Sequence, residues 1–464
     1  MKLPDAFIDE MTSTLGDSEA GKLMAALATD APVSVRLNPK RGVRPAADAR
    51  SVPWSSTGYY LNARPAFTFD PLLHAGTYYV QEAASMFIEQ AFRAIGTTPQ
   101  RVLDLCAAPG GKSTLWRALL PDDCLLVTNE PIRTRASILA ENMQKWGHPN
   151  VCITSAYPSE FAPMCGFFDI IAADVPCSGE GMFRKDPAAV SEWQADSPAL
   201  CAARQRDIVA EVWPALRTGG YLVYSTCTFN RLENEDNVRW IAGELGAEPV
   251  ALPVNPSWGI QGATDGSSLP VCHFFPHRTQ GEGFFIALLR KTSDTPSPHR
   301  RRKNVSRRPM PTMPKACREW LAGDFTYRLT ENGVSALPAC TGDEMEHVAA
   351  VVRTLVEGVT LGSEKGRKFQ PAPTLALSTA LRPDAFPRIE LTYAEAISYL
   401  RREAIVPTAA KRGYTVVTYQ GHALGFINHL GTRANNLYPM EWRIRSSYGP
   451  ETPPEIVVTN TENP

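Results

Sequence analysis

Residues 101–130 read RVLDLCAAPGGKSTLWRALLPDDCLLVTNE, two short apolar runs joined by a glycine loop and a helical stretch. The runs RVLDLC and CLLVTNE are short and rich in Val and Leu, which is typical of strands buried on both faces. The stretch KSTLWRALL between them predicts a helix. A strand, a helix and a second strand in this order predict two parallel strands of one sheet.

The same alternation continues along the chain. Further strands are predicted at VCITSA, FDIIAADV, YLVYSTCT and GFFIALLRK, the last covering 283–291. Helices are predicted at RTRASILAENMQKWG and SPALCAARQRDIVAEVWPALRTGG, where Gly219 and Gly220 suit a helix C-terminus. The prediction is an α/β protein with a doubly wound, Rossmann-like core, in which ligands bind beyond the carboxyl ends of the strands.

A chain of 464 residues is too long for one core and is expected to form several domains. To the core we add a small N-terminal α/β domain with a helix at PDAFIDEMTSTLG and a strand at VSVRLN. The C-terminal modules are α+β, with helices at GDEMEHVAAVVRTLVEG and TYAEAISYLRRE and a hairpin at GYTVVTYQGHALGFINHL. The predicted boundaries are 1–97 for the N-terminal domain, 98–291 for the core, 292–315 for a basic Pro-rich linker, 316–385 for an intermediate domain and 386–464 for the last domain.

Composition excludes several classes of protein. No apolar run approaches the roughly 18 residues of a membrane span, and the start MKLPDAFIDEM lacks the apolar core of a signal peptide, so a cytoplasmic protein without membrane contact is expected. The ten cysteines include no C-x-x-C pair, so no metal site is expected. Net charge is only −1, but residues 295–318 carry eight Lys or Arg and no acid, a stripe suited to RNA phosphates or to a soluble tether.

The segment DLCAAPGGKS, residues 104–113, ends the first strand with two adjacent glycines and then enters a helix. Such a turn lets a ligand approach the backbone and the unpaired N–H groups of the helix start. Glu130 ends the next strand, where a carboxylate binds a nucleoside ribose. A phosphate-binding P-loop would need Gly at position 106, which is Cys, so the pattern favours a nucleoside cofactor without a triphosphate.

Two further strand ends each carry one cysteine, in DVPCSGEG (174–181) and in YSTCT (224–228). Neighbouring strand ends bring Asp174, Cys177 and Cys227 to one crevice. A thiolate that adds to carbon 6 of a cytosine makes carbon 5 nucleophilic, and that chemistry needs one cysteine, an acid and a methyl donor. On spacing alone either thiol fits the role of nucleophile, and the alternative is that both are small buried hydrophobic residues.

The segments DLCAAPGGKS, DVPCSGEGMFRKDP, YLVYSTCTFNRLENED and GFFIALLRK resemble, in order and spacing, the S-adenosylmethionine-dependent RNA cytosine-5 methyltransferases of the NOP2/Sun type. The resemblance covers residues 33–291. Beyond it, LGSEKGRKFQPAPTLAL and GFINHLGTRANNLYPMEWRIR are similar to the C-terminal region of bacterial small-subunit rRNA members of the family, whose last domain is PUA-like.

The resemblance implies transfer of a methyl group from S-adenosylmethionine to carbon 5 of a cytidine in 16S rRNA. Cys227 would add to carbon 6, Cys177 would assist release of the product, and Asp174 would hydrogen-bond the cytosine. The residues implied to hold the cofactor are Cys106, Ala107, Ala108, Pro109, Gly110, Gly111, Lys112, Glu130 and Asp174. The family commonly has an Asp after the third strand, where this chain has Tyr157, an aromatic that would stack on the adenine or only fill space.

The implied partner is ribosomal RNA or the 30S subunit, and a monomer is expected. Trp442, Arg443 and Arg445 near the C-terminus are candidates for RNA stacking, although aromatic residues in strands more often belong to the core. Two other functions stay open from the sequence: the same chemistry on tRNA, and a noncatalytic RNA-binding factor in ribosome assembly.

Overall fold

The structure is a computed structural model that describes residues 2–294, 313–366, 368–405 and 411–459. Most of the predicted basic linker lies outside the described residues. The N-terminal segment contains, in chain order, α1 (Asp5–Leu15), α2 (Asp17–Leu27), β1 (Val33–Leu37), β2 (Val43–Pro45), β3 (Arg50–Ser51), β4 (Gly58–Leu61), α3 (Pro71–His74), β5 (Tyr78–Val80) and α4 (Ile88–Ile95).

The elements of the core and of the C-terminal segments follow. The core contains β6 (Arg101–Asp104), α5 (Gly111–Leu119), β7 (Leu125–Asn129), α6 (Arg133–Trp146), β8 (Val151–Thr154), β9 (Phe168–Asp174), α7 (Pro187–Glu192), α8 (Ser197–Val212), β10 (Leu216–Thr226), α9 (Glu235–Glu244), β11 (Ala247–Val250), β12 (Val271–Phe274) and β13 (Phe284–Lys291). The C-terminal segments contain β14 (Phe325–Thr330), β15 (Gly333–Pro338), α10 (Gly342–Val351), β16 (Thr354–Glu357), β17 (Val359–Lys365), β18 (Lys368–Pro371), β19 (Arg388–Glu390), α11 (Tyr393–Leu400), β20 (Gly413–Tyr419), β21 (His422–His429), β22 (Ala434–Asn436) and β23 (Val457–Thr459).

The central sheet has the strand order β11-β13-β10-β9-β6-β7-β8-β16, with β12 paired to β13. The five strands from β10 to β8 are parallel. β13 pairs with β10 and β16 pairs with β8, and both run antiparallel to these five strands. The chain runs from β6 outward to β8 and then crosses back to β9 on the other side of β6. This reversal confirms the doubly wound core and places the switch point, where ligands bind, between β6 and β9.

Both faces of this sheet are buried by apolar side chains. Leu103 and Ile171 belong to the core on one face, and Val102 and Ile170 belong to the core on the other. Alternate residues of a strand point to opposite faces, so continuous apolar runs such as FDIIAAD suit a strand covered on both sides. The sequence therefore identified the five parallel strands and β13 correctly, and it missed β11, β12 and β16.

Two predicted helices end earlier than expected. The helix predicted to close at Gly219 and Gly220 ends at Val212, and those glycines lie inside β10 at an irregularity of its pairing with β9. Pro214, which has no N–H to donate, lies in the short 3₁₀ turn that follows the helix. The φ of 74° at Gly219 suits glycine in the irregular part of the strand.

The helix predicted over GDEMEHVAAVVRTLVEG ends at Val351, and its last residues form β16 instead. The segment VVRTLV is rich in β-branched residues, which favour strands over helices. β16 pairs with β8 and covers an edge of the central sheet that would otherwise stay open. The segment predicted as a separate intermediate domain therefore adds one strand to the core sheet.

The C-terminal segment packs against the N-terminal segment and the core. β2 pairs with β23, and the predicted hairpin of β20 and β21 turns at Gln420 and Gly421, both with positive φ. Trp442, a candidate for RNA stacking, is half-buried, and its ring lies 5.3 Å from Nζ of Lys145 on α6. Its position indicates a role in packing between segments.

The N-terminal helix α1 covers the loops that follow β9 and β10. Phe7 of α1 contacts Phe183 and Phe229, which belong to these two loops, at centroid distances of 5.0 and 6.3 Å, and it also contacts Trp193 at 6.2 Å. The cysteine-bearing strand ends therefore lie beneath an aromatic cluster. Across the described part of the chain, no helix has the length and apolar character needed to span a membrane.

Candidate active site

The glycine loop lies at the carboxyl end of β6, beside the switch point. Gly110 is the N-cap of α5 with a φ of 117°, and no side chain caps this helix. The N–H groups of its first turn therefore remain available to a ligand. The six loop residues from Cys106 to Gly111 range from the buried Ala107 to the exposed Pro109, and a Cβ at Gly111 would lie only 3.2 Å from the ring of Tyr79. The loop is thus closely shaped by its neighbours.

Glu130 follows β7 at the same edge of the sheet, as predicted. Its Oε1 accepts a hydrogen bond from the N–H of Ile132 at 3.0 Å, and its Oε2 lies 3.4 Å from the guanidinium of Arg135. Arg135 also donates to the carbonyl of Ala108 at 3.2 Å. This arginine, which the sequence reasoning missed, joins the carboxylate to the glycine loop. Its only sequence signal is a cation in the first turn of the helix after Glu130.

Asp174 lies at the end of β9 and is held by two neighbours. Lys112 donates to its Oδ2 at 2.8 Å, and the hydroxyl of Ser225 donates to its Oδ1 at 2.7 Å. Burial opposes the charge of Lys112, but the carboxylate of Asp174 beside it raises the pKa of this lysine. The ammonium group therefore stays charged in the cleft.

The two cysteines of the predicted site are brought together. Sγ of Cys177 lies 2.8 Å from Sγ of Cys227, and the backbone N–H of Cys227 donates to Sγ of Cys177 at 3.3 Å. Both residues are half-buried and both are free thiols. The hydrogen bond to Cys227 and burial raise the pKa of the Cys177 thiol well above its usual range. This contact favours a protonated Cys177.

The loops that carry the cysteines contain two further buried acids, Glu180 and Glu233. The sequence motifs include both, but the sequence reasoning assigned them no role. Tyr157, after β8, has 67% of its surface exposed, and its N–H donates to Glu160 at 2.7 Å. The ring of Tyr157 is therefore exposed to solvent at the end of β8, two strands away from the strand that leads into the glycine loop.

The arrangement combines a thiol pair, an acid and a charged amine at adjacent strand ends. These groups are suited to covalent attack on an electron-poor ring and to proton transfer around it. Among the residues that the structure describes, no group of three or more His, Cys, Asp or Glu side chains is placed to hold a metal ion.

Three family models match segments of the chain. The model described as 16S rRNA methyltransferase RsmB/F matches residues 96–290. The model for the N-terminal domain of 16S rRNA methyltransferase RsmF matches residues 3–83, and the model for the methyltransferase RsmF PUA domain matches residues 386–444. These matches confirm the methyltransferase core and the PUA-like last domain.

Curated relatives match most of the chain. The ribosomal RNA small subunit methyltransferase F of Citrobacter koseri is 33% identical over 414 residues, which are 85% of this chain and 81% of the relative. The protein of the same name from Escherichia coli O157:H7 is 33% identical over 412 residues, 84% of each chain.

Solved structures share the fold of the core. NSun6 from Pyrococcus horikoshii with SFG has a TM-score of 0.52 and 20% identity, covering 63% of this chain and 99% of that chain. A methyltransferase homolog protein from Pyrococcus horikoshii has a TM-score of 0.51 and 25% identity, covering 61% of this chain and 94% of that chain. The family models and the curated relatives together show that the chain belongs to the 16S rRNA methyltransferase RsmB/F family.

Proposed function

We propose that this protein transfers a methyl group from S-adenosylmethionine to carbon 5 of a cytidine in small-subunit rRNA through a covalent bond between Cys227 and carbon 6. The observation that carries the proposal is the pair of thiols 2.8 Å apart, beside an acid and an amine at neighbouring strand ends. Two cysteines with only a structural role would not be expected to lie beside an acid and a charged amine.

The environment of the thiols favours Cys227 as the nucleophile. Cys177, whose pKa is raised, is suited to donate its S–H to Sγ of Cys227. A negative charge on Cys227 would add to the raised pKa of Lys112, which places the ammonium group of the lysine near this thiol. We therefore assign the attack to Cys227 and assign to Cys177 the thiol that keeps its proton.

The proposed reaction has three parts: addition of the thiolate, methylation of carbon 5 and release of the product. The Cys227 thiolate adds to carbon 6, and the electron pair of the ring double bond moves toward carbon 5. Asp174, held by Lys112 and Ser225, faces the polar edge of the pyrimidine and orients it by hydrogen bonds. Carbon 5 would form a bond to the methyl group of bound S-adenosylmethionine, and S-adenosylhomocysteine would leave with the electron pair of the broken carbon–sulfur bond. A base then removes the proton on carbon 5, the electron pair of that C–H bond restores the double bond, and the bond from carbon 6 to sulfur breaks with its electron pair on Cys227. We assign the assistance of this release to Cys177, whose thiol lies 2.8 Å from Sγ of Cys227.

The residues at the glycine loop fit the proposed cofactor. The uncapped start of α5 offers N–H groups, and the Glu130 carboxylate lies where a ribose would be bound. Cys106, Ala107, Ala108, Pro109, Gly110, Gly111, Lys112, Glu130 and Asp174 are the residues that we assign to this cleft. S-adenosylmethionine supplies the activated methyl group there.

Small-subunit rRNA, naked or within the 30S subunit, is the proposed substrate because the curated relatives are named for it and the last segment matches the PUA model. The target base must leave its stack to expose carbon 6 to a thiolate.

Labelled cofactor should be incubated with 30S subunits, naked rRNA and bulk tRNA. We expect transfer to an rRNA substrate that Cys227→Ala abolishes. Cys340→Ala, at an exposed thiol in a C-terminal segment, is the matched control and should transfer at the rate of the unmodified protein. Transfer to tRNA alone would contradict rRNA as substrate, and no transfer to any RNA would favour the noncatalytic factor.

A further inference from the structure

Two buried glutamates connect the two loops that carry the cysteines. We name residues 175–183 the Cys177 loop and residues 227–234 the Cys227 loop. Glu180 belongs to the first and Glu233 to the second, and neither exposes surface to solvent. Burying a carboxylate is costly unless hydrogen bonds compensate for its lost hydration. The partners of each carboxylate therefore show what its burial achieves.

Glu180 reaches from the Cys177 loop to the residues that follow Cys227. Its Oε2 accepts hydrogen bonds from the hydroxyl of Thr228 at 2.6 Å and from the backbone N–H groups of Phe229 at 2.9 Å and Asn230 at 3.1 Å. One carboxylate oxygen thus fixes three consecutive residues directly after the proposed nucleophile.

Glu233 makes the opposite connection. From the Cys227 loop, its Oε2 accepts the backbone N–H of Ser178, the residue after Cys177, at 3.0 Å. The same oxygen accepts from the side chain of Gln205 at 2.6 Å, and Gln205 also donates to the carbonyl of Pro176 at 3.0 Å. Glu233 and Gln205 therefore hold the backbone on both sides of Cys177.

A single amide joins the two carboxylates. Nδ2 of Asn230 lies 3.1 Å from Oε1 of Glu180 and 2.7 Å from Oε1 of Glu233. Burial raises the pKa of Glu233 to about 7, although its hydrogen bonds with Ser178 and Asn230 act in the other direction. Keeping two carboxyl groups together in the interior lowers the stability of the fold. Such an arrangement is therefore expected where it fixes the geometry of a functional site.

We propose that Glu180 and Glu233 are positioning residues that hold the two thiols at their working separation, with Glu180 setting the attack by Cys227 and Glu233 setting the release assisted by Cys177. The assignment of one step to each residue rests on the proposed function. The holding of the two thiols does not, because it follows from the contacts of the carboxylates alone.

The first test needs no RNA. Treatment of the full chain with diamide joins Cys177 to Cys227 as the two thiols lose two hydrogens and the diazene becomes a hydrazine. Mass spectrometry with peptide mapping measures the rate of this one bond. We expect Glu180→Gln and Glu233→Gln to slow it about tenfold or more, since freed loops separate the thiols. Asp169→Asn is the matched control, because Asp169 accepts two backbone N–H groups at the opposite end of β9.

The second test measures single-turnover kinetics with an rRNA substrate. We expect Glu180→Gln to slow formation of the protein–RNA adduct and Glu233→Gln to slow its disappearance, each about tenfold or more. Thr228→Val removes the hydroxyl that donates to Glu180 and that also contacts Ser178 and Asn230, but it keeps both carboxylates. This variant should still slow adduct formation if Glu180→Gln unfolds the protein. Asp169→Asn should leave both rates unchanged.

The outcomes separate the two proposals. If Glu180→Gln and Glu233→Gln lower only the unfolding temperature, with the wild-type diamide rate, the carboxylates are merely structural and the inference is overturned. If both substitutions slow adduct formation and release equally, the division of roles is overturned. Slower diamide coupling in a protein whose wild type methylates no RNA would support the holding of the thiols and reject the function.

Discussion

Lys112 and Asp174 form an ion pair in the cleft, with Nζ 2.8 Å from Oδ2, while Ser225 holds the other carboxylate oxygen at 2.7 Å. Two contacts of different strength thus orient one acid. Asp174→Asn should lower the single-turnover rate by about 10²–10³-fold, because the substitution removes charge aimed at the reacting ring. Ser225→Ala removes one neutral donor and should cost about tenfold or less. Equal losses in the two variants would show that Asp174 acts only through its fixed position.

Tyr157 supplies an exposed ring where the family commonly has an acid. If the ring stacks on the adenine, Tyr157→Ala should weaken cofactor binding about three- to tenfold, the usual strength of an aromatic contact. Isothermal titration with S-adenosylmethionine measures this. Leu329→Ala, at a similarly exposed apolar residue on β14, is the control and should bind like the wild type. An unchanged dissociation constant for Tyr157→Ala would leave the ring with no part in binding.

The sequence predicted the parts of the site that depend on strand ends. Asp174, Cys177 and Cys227 follow apolar runs that alternate with helical stretches, and parallel strands in one sheet end at the same edge. The glycine loop and Glu130 were placed by the same rule. Their distances could not follow from it, because the contact of the two thiols depends on the conformations of two irregular loops.

The sequence pattern could not predict contacts between residues that are far apart in the chain. β16 pairs with β8 although some 200 residues separate them, and β2 pairs with β23 across most of the chain. Local periodicity carries no information on such partners. Glu180 and Glu233 were missed for a related reason, since in sequence each is one acid in a polar loop, and only the folded loops show what each carboxylate binds.

Glu235 and His273 are both buried, and Oε1 of Glu235 lies within hydrogen-bonding distance of Nε2 of His273, at 3.0 Å. Burial acts to raise the pKa of Glu235, but the hydrogen bonds from His273 and Thr264 outweigh it and lower this pKa to about 2. A carboxyl whose folded-state pKa is below its unfolded value of 4.5 stabilises the fold above pH 4.5, and the stabilisation is lost as pH falls toward 2.

Glu235→Gln should therefore lower the free energy of unfolding by about 3 kcal/mol at pH 7 and by much less at pH 3. Urea unfolding at the two pH values measures this difference. Glu395→Gln, at the third residue of α11 in the capping box with Thr392, is the control and should cost about 1 kcal/mol or less. An equal loss for Glu235→Gln at both pH values would contradict the assigned pKa.

The C-terminal segment offers two side chains with different expected roles. Trp442 packs against Lys145 and Tyr438, so Trp442→Ala should lower the unfolding temperature by a few degrees. Arg443 is exposed, so Arg443→Ala should leave the unfolding temperature unchanged. It should weaken rRNA binding and reduce the slope of the logarithm of the binding constant against the logarithm of the salt concentration by about one, the loss of one phosphate contact. Thermal unfolding and filter binding at several salt concentrations test the division. A stable Trp442→Ala variant with weak RNA binding would restore Trp442 as a stacking residue.

Substitution of each thiol is expected to affect the covalent intermediate differently. Cys177→Ala keeps the nucleophile and removes the residue that assists release, so a protein–RNA adduct should accumulate, visible as a slower band on a denaturing gel. Cys227→Ala should form none, because no thiolate reaches carbon 6. The double variant Cys177→Ala with Cys227→Ala is the control and should also form none, which links any adduct of the first variant to Cys227. An adduct in Cys227→Ala but none in Cys177→Ala would mean that the roles are reversed, with the 2.8 Å contact of the thiols serving attack by Cys177 instead.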